Sequence, residues 1–477
     1  MKSAGAIGAF SLQGPGVNTN NFRVTVFATG LSFPLGMVQL ADGSLLVAVS
    51  QGLSYFDPGN IGQLLRLTDT NGDGVADDAG TVVYTGLPGA LTSVQMCGHL
   101  VLVTGFDPGH AIYVLRAGAT PASPLTYVGA MTVNYPPGNW EHPKSALAVR
   151  PTPGHSGSCD VLFQLGSDQN YAPTTRTCTL SSADIPGATG TLEGQSIYLI
   201  TLTDNGTNVV ASNLTRLAQG LRNPAGIAFH PVTGDLYFED NGIDGPMNGN
   251  EPLSADELNY LPAAQVGNGT VPDFGFPTNY TEYRTGRIVG GGGVQPLFTF
   301  QPLPNPFTGS ESEGPNGIAF APAGFPAGLN NGFFAGFHGK GAYAGIANEE
   351  NPVVYADLTT TNYFQIIGND EPNIGHLDGL LSTYDSLFLA DLTSDGNIYS
   401  ADGLGNNGVI YQIKSLVAHS LGWQITSQSL GLSWTRGGVL LQATNLAGPW
   451  STNSANTNAC SIPINPNQPQ SFYRVKY

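Results

Sequence analysis

One motif occurs six times along the chain and limits the folds that the chain can adopt. Each copy opens with a glycine-rich stretch and continues with short apolar strands separated by turns of Gly, Pro and Asp. The copies begin near residues 30, 86, 142, 220, 313 and 375. This repeat predicts an all-β protein, a six-bladed β-propeller, because radial repetition hides most sheet edges. The alternative is a two-sheet sandwich, for which the repeat units are long.

The sequence changes character after Lys414, where a cleanly alternating apolar pattern begins. This pattern predicts a small β-sandwich-like domain with Trp434, Trp450, Phe472 and Tyr473 in its core. The predicted organisation has four parts: an N-terminal segment (1–21), the propeller (22–414), a linker (415–421) and the C-terminal β domain (422–477).

The net charge of the chain limits the kinds of partner that it can bind. Lys and Arg total 16 against 34 Asp and Glu, and the formal net charge of −18 argues against binding nucleic acid or anionic membrane surfaces. No apolar run approaches the length of a transmembrane helix. The start of the chain has a short stretch of small residues that could be the remnant of a signal peptide.

Cysteine placement indicates the compartment. Cys159 and Cys178 flank one long insertion, and a disulfide between them would staple it. The alternative is that all four cysteines are free buried thiols. A disulfide favours an oxidising compartment, so we expect the protein to be secreted, periplasmic or on the cell surface.

An acidic loop in the first repeat, "LTDTNGDGVADD", predicts a calcium site. Its oxygen donors recur at alternate positions, and Ca²⁺ takes six to eight oxygen ligands. The expected ligands are the side chains of Asp69, Asn71, Asp73 and Asp77 with the carbonyl of Val75. An EF-hand requires a carboxylate where Gly80 stands, so a shorter loop type is predicted. The alternative is a polar turn built from Asn, Gly and Asp.

Three segments of the predicted propeller resemble the soluble quinoprotein glucose/sorbosone dehydrogenase family. They are "GLRNPAGIAFHPVTGDLYFEDNGIDG…SADELN" (220–259), "EHPKSALAVRP…LFQLGSDQN" (141–170) and "FAGFHGKG" (334–341). With the sixfold repeat, the resemblance covers most of residues 22–414. It implies a dehydrogenase that oxidises a sugar or other alcohol with pyrroloquinoline quinone (PQQ) and Ca²⁺, and that passes electrons to a separate acceptor.

The resemblance also implies catalytic roles. His142 matches the general base that takes the hydroxyl proton while hydride leaves the same carbon, a task suited to an imidazole. Asp168 matches the carboxylate that orients this imidazole. Arg222 is expected to bind the quinone oxygen where negative charge develops. The alternative for His142 is a strand-capping role, and for Arg222 an ion pair with Glu239 or Asp240.

Further positions match the cofactor and metal sites of the family. Asn223 is expected to help fix the plane of PQQ, and Gln95 loosely matches a glutamine that contacts it. His338 and Lys340 are candidates for the same site, with a buried core histidine and a solvated lysine as their alternatives. The carbonyl groups of Gly242 and Ile243 match the ligands of the catalytic calcium.

Two other functions remain open from the sequence. Family members carry arginine near the last propeller strand where this chain has Asn406 and Asn407. One alternative is therefore a propeller that has kept the scaffold and lost the cofactor, and that serves as a binding or surface module. The other alternative function is that of a calcium-dependent propeller hydrolase. Its expected inward-facing metal ligands are Asp168, Glu239, Asp240, Asn241 and Asp378.

The C-terminal tail resembles a β module of exported proteins of Verrucomicrobia-like bacteria, which implies surface attachment or sorting.

Overall fold

The computed structural model describes residues 9–106, 110–245, 251–301, 314–348, 350, 352–368, 371–399, 406–417, 421–426, 428–434, 438–454, 459–464 and 470–476. Within these ranges almost all regular structure is β-strand, with two short 3₁₀ helices at Thr19–Asn21 and Gly345–Ala347. No helix in the described ranges is long and apolar enough to cross a membrane.

The first half of the chain forms fifteen of the strands in the described residues. They are β1 (Phe22–Leu31), β2 (Met37–Gln39), β3 (Leu45–Gln51), β4 (Ile61–Leu67), β5 (Thr81–Pro88), β6 (Leu91–Cys97), β7 (Leu100–Gly105), β8 (Ala111–Arg116), β9 (Thr126–Asn134), β10 (Leu147–Pro151), β11 (Ser158–Leu165), β12 (Thr177–Ser181), β13 (Gly190–Glu193), β14 (Ser196–Asp204) and β15 (Val209–Gln219).

The next strands continue to residue 415. They are β16 (Gly226–Phe229), β17 (Leu236–Asp240), β18 (Asp256–Leu261), β19 (Tyr280–Thr281), β20 (Ile288–Val289), β21 (Phe298–Phe300), β22 (Pro315–Phe320), β23 (Gly332–Phe337), β24 (Val353–Asp357), β25 (Tyr363–Ile367), β26 (Gly379–Ser382), β27 (Ser386–Asp391) and β28 (Gly408–Ser415).

In the described part of the chain these strands form six antiparallel sheets of four or more strands, which we call blades 1 to 6. Their strand orders are β2-β3-β4-β5, β6-β7-β8-β9-β12-β13, β10-β11-β14-β15, β16-β17-β18-β21, β22-β23-β24-β25 and β26-β27-β28-β1. The first strand of each blade contacts the first strand of the next, and β26 contacts β2, so the ring is closed. The predicted all-β propeller is confirmed.

The N-terminal strand closes the ring. β1 pairs with β28 over the register from Phe22 opposite Ser415 to Leu31 opposite Gly408, so blade 6 takes strands from both ends of the propeller. Residues just before β1 add to this closure, since Phe10 and Leu12 are buried in a cluster with the cores of blades 5 and 6. Closure of the propeller therefore depends on N-terminal residues that lie far in sequence from the other strands of blade 6.

Glycines near the axis allow neighbouring blades to approach. A Cβ added at Gly317 on β22 would lie 2.0 Å from the carbonyl oxygen of Asp378 in the next blade. One added at Gly379 on β26 would lie 2.4 Å from the carbonyl oxygen of Leu35. Real Cβ atoms cannot come this close, so glycine at these two positions of the inner strands is required by the packing of neighbouring blades.

The structure corrects the predicted disulfide. Cys159 on β11 is bonded to Cys97 at the end of β6, which joins blade 3 to blade 2, and Cys178 is a buried free thiol. The strands of the insertion do not join the sheet of blade 3, although their apolar side chains pack against its core. Its strands β12 and β13 extend the outer edge of blade 2, where Cys178 packs in the core cluster that also holds Trp140.

The described residues after the propeller form two small sheets. Their strands are β29 (Leu421–Ile425), β30 (Ser429–Trp434), β31 (Val439–Ala443), β32 (Ser451–Ser454), β33 (Ala459–Pro463) and β34 (Phe472–Lys476), ordered β29-β30-β33 and β32-β31-β34. Apolar residues of both sheets share one cluster, which includes Trp434 and Tyr473. Trp450 is half-buried under the Arg474 guanidinium. The predicted domain boundaries stay a prediction.

Candidate functional site

A cavity of about 420 Å³ lies on the axis of the propeller. All six blades contribute to its wall through residues at or beside their first strands. Those residues include Met37, Val94, Leu147, Ile227, Ile318 and Leu380. Because a propeller brings the start of every blade to the axis, residues far apart in sequence meet there.

Most of the predicted cofactor and catalytic residues line this one cavity. They are Gln95, His142, Arg222, Asn223, His338 and Lys340. Gln95 lies on β6, and the others lie in loops just before β10 and β16 or just after β23. Asp168, Gly242 and Ile243 are not part of the wall that the described residues form.

Arg222 is buried and held on several sides. Its guanidinium donates to the backbone carbonyl groups of Asn170 and Asn241 and to the side-chain oxygen of Asn170, and it forms an ion pair with Asp244. Its side chain is 3% exposed. The predicted alternative of an ion pair with Glu239 or Asp240 is wrong, since the partner is Asp244. The guanidinium is therefore fixed in place with most of its donors already used.

The turn that carries Arg222 is bound to the neighbouring strand. The backbone N–H groups of Arg222 and Asn223 donate to the two carboxylate oxygens of Asp240, at 3.0 and 2.6 Å. Burial raises the pKa of Asp240 to about 7, although these two hydrogen bonds oppose the rise. The side-chain amide of Asn223 donates to the side-chain oxygen of Asn241 at 2.8 Å. The "RNP" segment is thus positioned by Asp240 at the end of β17 and by Asn241 just after it.

His142 sits in an unfavourable environment for positive charge. Burial lowers the pKa of His142 well below its usual value, and the nearby Arg222 cation lowers it further. Nε2 is buried and has no hydrogen-bond partner among the described residues. The backbone of His142 exchanges hydrogen bonds with Ser167 and Gly166, which fixes the loop. The imidazole is therefore neutral at physiological pH and is not oriented by a carboxylate.

Asp168 does not orient His142 in this structure. One carboxylate oxygen accepts from the Arg176 guanidinium at 2.6 Å, and the other accepts from the Thr174 hydroxyl at 2.9 Å. Arg176 also lies over the Trp140 ring. The predicted pairing of Asp168 with His142 is corrected accordingly, because a cation eight residues along the chain holds the carboxylate outside the cavity wall.

A carboxylate does orient the second imidazole of the cavity. Nδ1 of His338 lies 2.7 Å from a carboxylate oxygen of Asp378, whose side chain is 2% exposed. Asp378 directly precedes β26, and His338 directly follows β23. The alternative of a buried core histidine does not apply to His338, since its side chain is 23% exposed and lines the cavity.

Lys340 supplies the other cation of the described cavity wall besides Arg222. Its ammonium group lies 3.9 Å from the buried carboxylate of Glu350, and its backbone N–H donates to the Asn348 side chain. Gln95 lies at the opposite side of the ring on β6. The cavity thus combines two cationic side chains with amide donors.

The predicted calcium carbonyls lie beside the cavity. Gly242 and Ile243 line a second, much smaller cavity of about 20 Å³, which shares Arg222 and Asn241 with the large one. The carbonyl of Ile243 accepts the N–H of Ser254 at 3.1 Å. A carbonyl oxygen has two lone pairs, so this bond leaves one for a metal. Calcium binding here stays a prediction.

The acidic loop of blade 1 uses its oxygens locally. Asp69 accepts backbone N–H groups of Gly72, Asp73 and Gly74, and Asp77 accepts from the Thr70 N–H and hydroxyl. Asn71 and Asp73 likewise accept backbone N–H groups within the loop, and Val75 donates one of them. Among the described residues no group of three His, Cys, Asp or Glu side chains could hold a metal. A calcium site in this loop stays a prediction.

Sequence reasoning missed several residues of the site. Asp244 and Asn170 fix the Arg222 guanidinium, and His376 stacks on His338 at 4.8 Å. Three partly exposed aromatic rings also line the cavity: Phe56, Phe106 and Tyr399. They come from blades 1, 2 and 6, and only their shared position at the axis would have identified them.

The comparisons with known proteins support the fold. No family model matches the sequence, and no curated protein matches it either. The chain is similar in structure to a protein of Carbohydrate-Active Enzymes Family AA12 from Trichoderma reesei, described in its calcium form. The TM-score is 0.54 at 16% identity over 86% of this chain and 99% of that chain.

A second solved structure gives the same result. It is the holo form of the PQQ domain of pyranose dehydrogenase from Coprinopsis cinerea, with a TM-score of 0.51 and 17% identity over 83% of this chain and 96% of that chain. At this identity the likeness shows the fold alone. The chain therefore has the propeller fold of these proteins, and its activity must be argued from its own residues.

Proposed function

We propose that the protein is a dehydrogenase that oxidises a hydroxyl group of a sugar or other small alcohol in the central cavity, with PQQ as the electron-accepting cofactor. One observation carries the proposal: six residues identified from three separate sequence segments and from β6 line a single cavity on the propeller axis. The similarity to the fold of a PQQ domain supports it.

The residues of the cavity fit the cofactor. PQQ is a flat, carbonyl-bearing group with three carboxylates, and when bound it supplies a quinone that takes up two electrons. Arg222 and Lys340 can bind its anionic oxygens, while Gln95 and Asn223 offer amide groups. The buried, fixed guanidinium of Arg222 is suited to stabilise negative charge because it does not need to reorganise during the reaction.

The mouth of the cavity suits a sugar. Phe56, Phe106 and Tyr399 are 44%, 37% and 60% exposed, and the Phe56 ring centroid lies 5.9 Å from Phe106 and 6.2 Å from Tyr399. Such rings offer apolar faces to the C–H side of a sugar and exclude water from one side of the bound substrate. The polar groups deeper in the cavity are then available to its hydroxyl groups.

The proposal also includes features that lie outside the cavity. Calcium at the carbonyl groups of Gly242 and Ile243 would polarise the cofactor. A separate acceptor would take the electrons, the protein would act in a secreted, periplasmic or cell-surface location, and the C-terminal β domain would provide surface attachment. The resemblance of the propeller segments to quinoprotein dehydrogenases supports the calcium and the acceptor. The Cys97–Cys159 disulfide supports the location, and the resemblance of the C-terminal tail to a module of exported proteins supports the attachment.

Titration of the purified protein with PQQ tests the proposal, with and without Ca²⁺. We expect a change in the quinone absorbance and a rise in melting temperature, because a ligand that binds only the folded state stabilises it. Lys340→Met should weaken binding by removing a cation from the cavity. Lys414→Met is the matched control, since Lys414 pairs with Asp385 outside the cavity. No binding at micromolar PQQ would overturn the proposal.

A binding or surface module is the second candidate, favoured by the scarcity of cations. The two cationic side chains of the described cavity wall, Arg222 and Lys340, both lie near carboxylates. Asn406 and Asn407, which replace arginines of the family, bond to Ser32 and Asp395. A protein that binds sugars but neither binds PQQ nor turns over would support this second function.

The hydrolase alternative requires carboxylates that converge on one metal. In the described residues they point to different partners: Asp168 to Arg176, Asp240 to the backbone at Arg222, and Asp378 to His338. The Asn241 side chain donates to the Pro315 carbonyl. Glu239 is fully buried away from the cavity wall. The geometry therefore supports the dehydrogenase over the hydrolase.

A further inference from the structure

The cavity holds a second imidazole whose surroundings suit proton transfer. Asp378 is almost completely buried, and its carboxylate oxygen lies 2.7 Å from Nδ1 of His338. The other oxygen of the same carboxylate is buried and has no hydrogen-bond partner among the described residues. A buried carboxylate in contact with an imidazole favours the Nδ1–H tautomer and stabilises the imidazolium cation.

The loop that carries Asp378 is held rigidly. Asp391, at the end of β27, accepts the backbone N–H groups of Gly375 and His376 at 2.9 and 2.8 Å. The His376 ring lies against the His338 ring with an interplanar angle of 29°, and its nitrogens contact the carbonyl groups of His338 and Gly396. These contacts fix the His338 ring from behind.

The remaining nitrogen of His338 is available to a ligand. The described residues offer Nε2 no hydrogen-bond partner, and the ring is partly exposed on the cavity wall. With Nδ1–H donated to Asp378, Nε2 carries a lone pair and can accept a proton. His142 lacks these properties, since its Nε2 is buried and the neighbouring charge is the Arg222 cation.

We propose that His338, positioned by Asp378, is the catalytic base of the proposed oxidation. This inference rests on the proposed function. The substrate hydroxyl O–H bond breaks and its proton goes to Nε2 of His338. The adjacent C–H bond breaks with its electron pair, hydride passes to the two-electron quinone acceptor, and the substrate becomes a carbonyl compound. Asp378 stabilises the imidazolium until the proton returns to solvent.

Three proteins test the assignment: wild type, His338→Gln and His142→Gln. We expect His338→Gln to lower kcat by about 100- to 10,000-fold, the usual contribution of general acid–base catalysis. Its KM and its affinity for PQQ should stay within about threefold, since Gln retains a polar side chain of similar size. His142→Gln should change kcat by less than His338→Gln does.

A measurement on the cofactor-free protein gives an independent readout. Selective ¹⁵N labelling of the eight histidines, with the His338 signal assigned by its loss in His338→Gln, shows which ring nitrogen carries the proton. We expect the proton on Nδ1 of wild-type His338. A proton on Nε2 would overturn the inference, as would a His338→Gln enzyme with wild-type kcat. A wild-type protein that neither binds PQQ nor oxidises alcohols would instead overturn the proposed function.

Discussion

The two sides of the central cavity place the same residue type in opposite electrostatic surroundings. On the side of blades 3 and 4, His142 stands beside the Arg222 cation, and burial and that cation both lower its pKa. On the side of blades 5 and 6, His338 stands beside the buried Asp378 carboxylate. Positive charge is therefore disfavoured on His142, whereas His338 contacts an anionic partner.

The charged partner of a histidine thus decides the chemistry of the imidazole more than the position of the residue in a motif does. His142 matches the catalytic base of the family that the sequence resembles, and Asp168 lies in the same resembling segment. In the structure Arg176 holds that carboxylate instead. A neutral imidazole beside a fixed guanidinium can still accept or donate one hydrogen bond to substrate or cofactor.

The largest expected effect comes from removing the charge of Asp378. Asp378→Asn should lower kcat by about 100-fold or more, because a neutral amide stabilises the imidazolium of His338 much less than a carboxylate does. Asn keeps the shape of the side chain, so KM should change little. Steady-state kinetics on the PQQ-loaded protein measures both constants. An unchanged kcat would place the base elsewhere in the cavity.

The matched change on the other side of the cavity is Asp168→Asn. Because this carboxylate bonds to Arg176 and Thr174, we expect little change in kcat and a loss of stability. If Asp168→Asn instead lowers kcat as much as Asp378→Asn, the His142–Asp168 pair is the catalytic one.

The second effect concerns the stability of the Asp168 site. Arg176→Ala should lower the free energy of unfolding by about 1–3 kcal/mol, less than for a fully buried pair because the Arg176 side chain is 31% exposed. Urea unfolding measures this change. Arg176→Lys is the control, since it keeps the charge and should recover part of the loss. A fully stable Arg176→Ala protein would show that Asp168 has another partner.

Sequence patterns predicted the elements that repeat. Alternating apolar residues predicted the strands, and the glycines of the repeat mark the inner strands, because at Gly317 and Gly379 a side chain would collide with the next blade. Once the strands are arranged as a propeller, the first strand of each blade lies at the axis, together with the loops that flank the start of that strand. This is why Gln95, Arg222 and Lys340 reach one cavity, as proposed from sequence.

Which side chains pair with each other could not be predicted from the sequence, because pairing depends on the exact positions of their atoms in the folded protein. His338 and Asp378 are 40 residues apart and meet only because β22 and β26 are neighbouring inner strands. The disulfide of Cys97 joins two blades, whereas sequence spacing suggested a bridge within one insertion. The pairing of Asp168 with Arg176 is local in sequence, but a motif alone gave no reason to prefer it over His142.

Glu239 is a buried carboxyl in different surroundings from Asp378, which contacts an imidazole. Both oxygens of Glu239 lack a hydrogen bond within the described residues, and burial raises the pKa of Glu239 well above its usual value, with Asp256 adding to the rise. The folded protein therefore holds a proton that the unfolded chain releases above about pH 4.5. Stability from this group is fully present below that pH and is lost as pH rises toward the folded pKa.

Glu239→Gln should remove this pH dependence. The difference in unfolding free energy between the wild type and the variant should move in favour of the variant by about 1.4 kcal/mol per pH unit above pH 4.5, until the folded pKa is reached. Urea unfolding at pH 5, 6, 7 and 8 measures it. Taking the difference isolates Glu239 from Asp240, whose pKa is also raised. Parallel stability curves would mean that Glu239 is ionised in the folded protein.

The smallest expected effect tests the Arg222 side of the comparison directly. Burial is the main cause of the low pKa of His142, and the Arg222 cation is the second. Arg222→Met should therefore raise the pKa of His142 toward its usual value without restoring it fully, because the ring stays buried.

NMR titration of the His142 ring signals measures the shift, with Asp244→Asn as a control that keeps the guanidinium but removes its ion-pair partner. That control should shift the pKa of His142 in the opposite direction, since an unneutralised cation repels the imidazolium more strongly. If both variants leave the titration unchanged, desolvation alone keeps His142 neutral, and the contrast between the two imidazoles then depends on the Asp378 carboxylate and the depth of burial.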